Sequence, residues 1–202
     1  MNKPTTKSDL TRAQIIEGAL RALSKTGVIG TTTRKIAAEA GVRLATLHYH
    51  FDSKSALLVA VLEKLIEQIA ERMHQDRVAE DADMDQCIEQ LLRGSWRAIA
   101  QTKAIQIVHY ELTLYALREG IQWLAERQYE AYLRLYRDRL AVANRGSNQL
   151  SAAACTALAR FILAGIDGLI LQELAKPSAE RSRRGIDALV TAAQAYARQL
   201  AQ

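Results

Sequence analysis

Positions 48–51 set His48, Tyr49, His50 and Phe51 side by side in a chain that is only 5% aromatic. Two imidazoles and a phenol can donate to and accept from phosphate oxygens or base edges, and a tyrosine ring can also contact a thymine methyl. The two histidines do not make a metal pair, because positions two apart face different sides of a helix.

For such side chains to be presented together, something beneath them must be anchored. TTTRKIAAEAGV, residues 31–42, supplies the first part: Thr32 or Thr33 caps a short helix that buries Ile36, Ala37 and Ala40, and Gly41 forces a turn. Val42 plugs that turn, and a third short helix from about Leu44 to His50 points Leu47 inward. With Leu47 inside, at least two of His48, Tyr49 and His50 must face outward, while Phe51 joins the core and holds the third helix on the fourth. Ser53 caps a long fourth helix whose apolar stripe is Leu58, Val61, Leu62, Leu65, Ile69 and Met73. Ahead of these, a first helix is expected to start around Ser8 to Thr11, where Thr11 and Gln14 have capping-box spacing, and to end after Lys25 at Gly27. It buries Ile15, Ile16, Ala19, Leu20 and Leu23. Two short helices joined through a glycine turn make a helix-turn-helix.

Charge is concentrated in the same region. The chain carries a net charge of +5, and all of it resides in residues 1–60, where nine Lys/Arg face four Asp/Glu; the remainder is neutral. Charge alone fits a solvated basic face, but charge combined with a helix-turn-helix points to a polyanion, with the rest of the chain serving another purpose.

These residues carry a resemblance to the TetR family of bacterial transcriptional regulators: TTTRKIAAEAGV, then TLHYHF, then DSKSALL, in order and with the family's spacing. The match is close over about residues 8–65; the remainder agrees in length and helical character. The resemblance implies that Thr32, Thr33 and Arg34, which open the second helix, touch the DNA backbone. It also implies that Leu44, Ala45, Thr46, His48, Tyr49 and His50 reach bases and phosphates, and that Lys54 clamps a phosphate. Three positions depart from the family pattern. Arg43 stands where a capping serine is common, leaving a short helix uncapped but offering a guanidinium to a phosphate; Ala45 replaces a common glycine, and His48 a common tyrosine.

The expected architecture is all-α: a three-helix DNA-binding domain over residues 1–55, linked by the long fourth helix to a helical bundle within residues 56–202. The acidic segment after Met73 reads as a connection, followed by a helix with Met84, Ile88, Leu91, Leu92, Ser95 and Ile99 on one side. Helices at about 103–117 and 120–143 come next, and NRGSNQ closes that run as a loop. Gln106, His109 and Thr113 form a polar row at helical spacing, a pattern more typical of a wet surface. Tyr129, Tyr132 and Tyr136 form a stripe expected to be core, with Arg127, Arg134 and Arg137 pointing away. The family's central bundle encloses an effector pocket, for which Trp96, His109, Tyr110, Glu111, Tyr115, Trp123 and Phe161 are the aromatic and polar candidates.

LSAAACTALARFILAGIDGLILQEL is apolar around much of its circumference, more than one bundle-facing stripe requires, and the final helix adds Ile186, Leu189, Val190, Ala193, Tyr196, Ala197 and Leu200. The resemblance implies a homodimer built on these two helices, reading a palindromic operator in double-stranded DNA and responding to an unidentified small-molecule effector. Cys87 and Cys155 lie in apolar helical patterns far apart in sequence, as free thiols in a reducing compartment do. FILAGIDGLIL is too short to span a bilayer and is interrupted by Asp167, so a cytoplasmic protein without a membrane partner is expected. No nucleophile elbow, phosphate-binding glycine loop, zinc-binding HExxH or dinucleotide fingerprint is present, which argues against an enzyme and against a bound cofactor. A helical DNA-binding adaptor that senses no ligand remains the alternative.

Overall fold

The computed structural model describes residues 6–75, 82–100, 102–143 and 150–202, and among these it contains nine helices and no strand. The helices are α1 (Lys7–Gly30), α2 (Thr33–Ala40), α3 (Leu44–His50), α4 (Lys54–Gln75), α5 (Met84–Ala100), α6 (Lys103–Arg118), α7 (Gln122–Ala143), α8 (Ala152–Ala175) and α9 (Ala179–Leu200). Most of the acidic connection, residues 76–81, and the loop at 144–149 lie outside the described residues. The chain forms two compact units, one of Met1–Glu67 with Ala104–Gln128 and one of Gln68–Lys103 with Tyr129–Gln202. No single cut separates them, since α6 and the first turns of α7 fold with the N-terminal helices.

In the first unit α1 starts earlier than its sequence suggested. Thr6 is the N-cap and Asp9 completes the box: the Asp9 N–H donates to Thr6 Oγ1 at 3.1 Å, and the Thr6 N–H donates to Asp9 Oδ2 at 2.9 Å. Thr11 and Gln14 have the same spacing but lie inside the helix. The Thr11 hydroxyl turns back to the Lys7 carbonyl, and the Gln14 amide reaches the Ala40 carbonyl. Gly27 ends the regular part of α1 as expected: at φ 68 its backbone is non-helical, and a short helical stretch then runs to Gly30 and buries Val28.

The core of this unit gathers Ile15, Ala19 and Leu23 of α1, Ile36 and Ala40 of α2, Leu47 of α3, Leu58, Leu62 and Leu65 of α4, Val108 and Leu112 of α6, and Leu124 of α7. Burying each large aliphatic side chain here is worth about 1.5–3 kcal/mol. Gln106 and His109 of the polar row are buried rather than wet. Beside them α6 and α7 share a polar network: the Gln128 amide and the Thr113 hydroxyl both lie within hydrogen-bond distance of the His109 backbone carbonyl, and the Thr113 hydroxyl lies 3.0 Å from Gln128 Oε1.

The second unit buries Ile88, Leu91 and Leu92 of α5, Leu133, Tyr136 and Leu140 of α7, Leu158, Ile162 and Ile166 of α8, and Ile186, Val190 and Ala193 of α9, with α9 lying against both α5 and α8. Leu189 of α9 packs so closely on Gly165 of α8, and Leu169 of α8 on Gly185 of α9, that neither glycine has room for a Cβ. Arg93 of α5 bonds to Asp187 of α9 at 2.8 Å. Of the tyrosine stripe only Tyr136 is core, its hydroxyl pushed up to about 12 by burial; Tyr132 is half-buried and Tyr129 is 43% exposed. Arg127, Arg134 and Arg137 are exposed.

FILAGIDGLIL proves to be part of a 24-residue helix, α8, long and apolar enough by length and composition alone to cross a membrane. Eight residues of α8 are buried within the protein, from Ala154 to Ile170, while Phe161 and Leu171 on other sides are exposed.

Candidate nucleic-acid interface

Thr32 caps α2, its hydroxyl accepting from the Lys35 N–H at 3.3 Å. The cap leaves Thr32 and Arg34 exposed and Thr33 half-buried at the start of the helix. At the other end Gly41 adopts φ 66, the left-handed conformation that closes a helix. Its N–H bonds back to the Ala38 carbonyl, and the N–H of Val42 to that of Ala37. The turn delivers α3, which is held by Leu47 and by Phe51, both buried.

The outer surface of α3 is what these anchors leave over. His48 is exposed, Tyr49 is 82% exposed, and His50 is half-buried with its ring edge-on to Tyr49 at 5.3 Å between centroids. Ala45 is exposed at the start of the helix, and Leu44 and Thr46 are half-buried. Arg43 occupies the N-cap with extended backbone geometry and makes no side-chain cap bond, so its exposed guanidinium is left to point outward. A large aromatic side chain this exposed gains nothing from folding and suits contact with a ligand.

Several supports were not legible in the sequence pattern. Arg12 of α1 lies 5.0 Å above the Phe51 ring, a cation–π contact at the end of α3. Arg21 and Lys25 of α1 bind Glu39 of α2, and Lys35 donates to the Gly30 carbonyl at 2.8 Å. Their only signal in the sequence was an excess of basic residues in this quarter of the chain.

Lys54 opens α4 as expected, with Ser53 accepting from the Ala56 N–H as the cap. Its ammonium is not turned outward, however. It donates to the Val28 carbonyl at 2.9 Å and lies 5.3 Å from the centre of the Tyr115 ring. Burial lowers its pKa below the usual lysine range, against the opposing pull of the Glu119 carboxylate.

The seven effector candidates divide between the units. His109, Tyr110, Glu111, Tyr115 and Trp123 belong to the first, and Trp96 and Phe161 to the second. Glu111 accepts from the Val28 N–H at 2.9 Å, and Tyr115 faces Lys54, so both are engaged by their own unit. His109 is buried, and its pKa falls to about 4 because burial disfavours the imidazolium. Tyr110 and Trp96 are half-buried, Trp123 is exposed, and Phe161 packs on Tyr196 at 5.3 Å between centroids. Among the described residues no three His, Cys, Asp or Glu side chains gather as a metal site.

Residues 15–61, which contain the whole of α2 and α3, match the family model described as bacterial regulatory proteins, tetR family. Residues 15–61 thus form a domain of the TetR family of bacterial regulatory proteins. The chain's relatives include the HTH-type nicotine-responsive transcriptional repressor HdnoR of Paenarthrobacter nicotinovorans, 27% identical over 183 residues that cover 90% of this chain and 92% of the relative. The transcriptional regulator TtgR of Pseudomonas putida is 35% identical over 105 residues, half of each chain. The crystal structure of the multidrug binding protein EbrR complexed with imidazole superposes with a TM-score of 0.64 at 27% identity, covering 89% of this chain and 93% of that one. The all-α fold with an N-terminal helix-turn-helix is therefore that of the TetR family along most of the chain.

Proposed function

We propose that the protein is a cytoplasmic repressor that binds a palindromic operator as a homodimer and is released by a small molecule. The observation that carries the DNA-reading part is α3: Leu47 and Phe51 are buried beneath it, His48 and Tyr49 stand exposed on it, and Arg34 and Arg43 flank it. In this reading residues 1–55 are the DNA-binding domain and 56–202 the regulatory body. Thr32, Thr33, Arg34 and Arg43 meet phosphates, and Leu44, Ala45, Thr46, His48, Tyr49 and His50 lie in the major groove.

The exposed apolar residues of α8, Phe161 and Leu171, support a dimer built on α8 and α9. A two-fold dimer places two recognition helices roughly 34 Å apart and so reads an inverted repeat. HdnoR is described as nicotine-responsive, and EbrR has been crystallised with imidazole and with malachite green, which favours a small organic effector for this relative as well. Effector release requires the ligand to bind more tightly to the conformation that no longer fits the operator. The work is then binding and release, with no reaction catalysed.

Sedimentation of the protein with and without a duplex carrying the selected operator tests this reading. One dimer per duplex, dissociated by a compound from a screened set of small amines and aromatics, is the expected result. A monomer on a single half-site would contradict the dimer, and turnover of a substrate without DNA would favour an enzyme. Operator binding that no compound changes would favour the ligand-free adaptor.

A further inference from the structure

The Val28 peptide is gripped at both ends. Its N–H donates to Glu111 Oε2 on α6, and its carbonyl accepts from Lys54 Nζ at the start of α4, each at 2.9 Å. A carboxylate on the N–H and an ammonium on the C=O match the two ends of the peptide dipole, and charge-assisted bonds are stronger than neutral ones. The grip depends on the break one residue earlier. Gly27 adopts φ 68, which favours glycine, and a Cβ there would lie 2.8 Å from Glu111 Oε1 and push the carboxylate aside.

The segment that follows is short and tied to the same point. The Thr31 hydroxyl donates to the Gly27 carbonyl at 2.6 Å, and Thr32 is already the cap of α2. Where the Val28 peptide sits therefore sets where Thr32, Thr33 and Arg34 are presented. The Lys54 ammonium, for its part, is drawn in among the Val28 carbonyl, the Tyr115 ring and the Glu119 charge. An incoming phosphate would have to compete with that carbonyl and approach that carboxylate.

We infer that Lys54 and Glu111 are positioning residues: together they clamp the Val28 peptide and so fix the α1–α2 turn that presents Thr32–Arg34 to DNA. The inference rests on the DNA-binding reading above and gives Lys54 a task besides the phosphate contact that the family resemblance assigns to it.

Operator binding by the full-length protein and hydrogen exchange of the free protein test the clamp. Lys54→Met and Glu111→Ala should each weaken binding about tenfold. Because the clamp presents Arg34, each should also flatten the salt dependence of binding towards that of Arg34→Ala. The Lys54→Met/Glu111→Ala double variant should lose less than the product of the single losses, since both residues hold one peptide. Hydrogen exchange at the Val28 amide of the free protein should accelerate in either single variant. Glu111→Gln, which keeps an acceptor oxygen without the charge, carries the measurement if Glu111→Ala does not fold. Full operator affinity in Glu111→Ala, strictly multiplicative losses or unchanged Val28 exchange would each overturn the clamp. The exchange measurement needs no DNA, so a wild-type protein that retained no duplex would overturn the DNA reading and still leave the clamp decided.

Discussion

Gln14 of α1 donates its side-chain amide to the carbonyl of Ala40, the last residue of α2, across 2.6 Å. One turn further along α1, Gly18 faces the same residue, and a Cβ there would lie 2.5 Å from the Ala40 Cβ and nearly as close to its backbone. This hydrogen bond and this missing side chain join the Arg21 and Lys25 contacts to Glu39 in fixing the position of α2 on α1. Gly18→Val is expected to destabilise the protein by about 1–3 kcal/mol through overpacking. Urea denaturation measures the loss, and unchanged stability would mean that α2 packs elsewhere.

Tyr49 contributes to recognition and hardly at all to folding. Tyr49→Ala is expected to leave stability within about 0.5 kcal/mol of wild type, as exposed substitutions do. It is also expected to lower operator affinity about tenfold, the loss of one good base or methyl contact. Thermal melting and fluorescence anisotropy read the two effects separately.

Arg43 holds the N-cap of α3 with suitable extended backbone but no side-chain bond to the helix. Arg43→Ser supplies the missing acceptor and is expected to raise stability by about 0.5–1 kcal/mol. Removing the guanidinium is expected at the same time to weaken DNA binding and flatten its salt dependence. A variant that is more stable and binds DNA equally well would assign Arg43 no contact.

Burial of His109 gives the protein an acid-side weakness. Its pKa in the folded chain is about 4, below the ordinary 6.5. Between those values the unfolded chain binds the extra proton, so stability is complete above about pH 7 and falls as the pH drops towards 4. The full loss from this residue is on the order of 3 kcal/mol. His109→Gln is expected to flatten the pH dependence of urea midpoints between pH 7 and 5; an unaltered slope would assign the dependence to other groups.

The helix-turn-helix was legible because its signals are local. Thr32, Gly41, Leu47 and Ser53 each act within a turn of their own position, and the chain places all four as caps, turn or core. Where two local signals compete, sequence does not rank them: Thr6 with Asp9 and Thr11 with Gln14 share one spacing, and it is the distant Ala40 carbonyl that occupies Gln14. Helical spacing placed Gln106 and His109 on one face of α6 without revealing that the face is buried. The resemblance assigned Lys54 a phosphate and gave no sign of its partner in the fold, Val28, which is 26 positions away. Contacts of that range leave no periodic trace in the chain.

The outer face of α3 is expected to read a DNA sequence twice, once from each protomer. Selection from a random duplex pool at fixed near-physiological salt, with wild type and Tyr49→Ala in parallel, tests it most directly. The account predicts an inverted repeat enriched by wild type, with half-site centres about one helical turn apart, and an enrichment that Tyr49→Ala weakens. Retention of duplexes without an enriched sequence, or the same repeat recovered equally well by the variant, would contradict it.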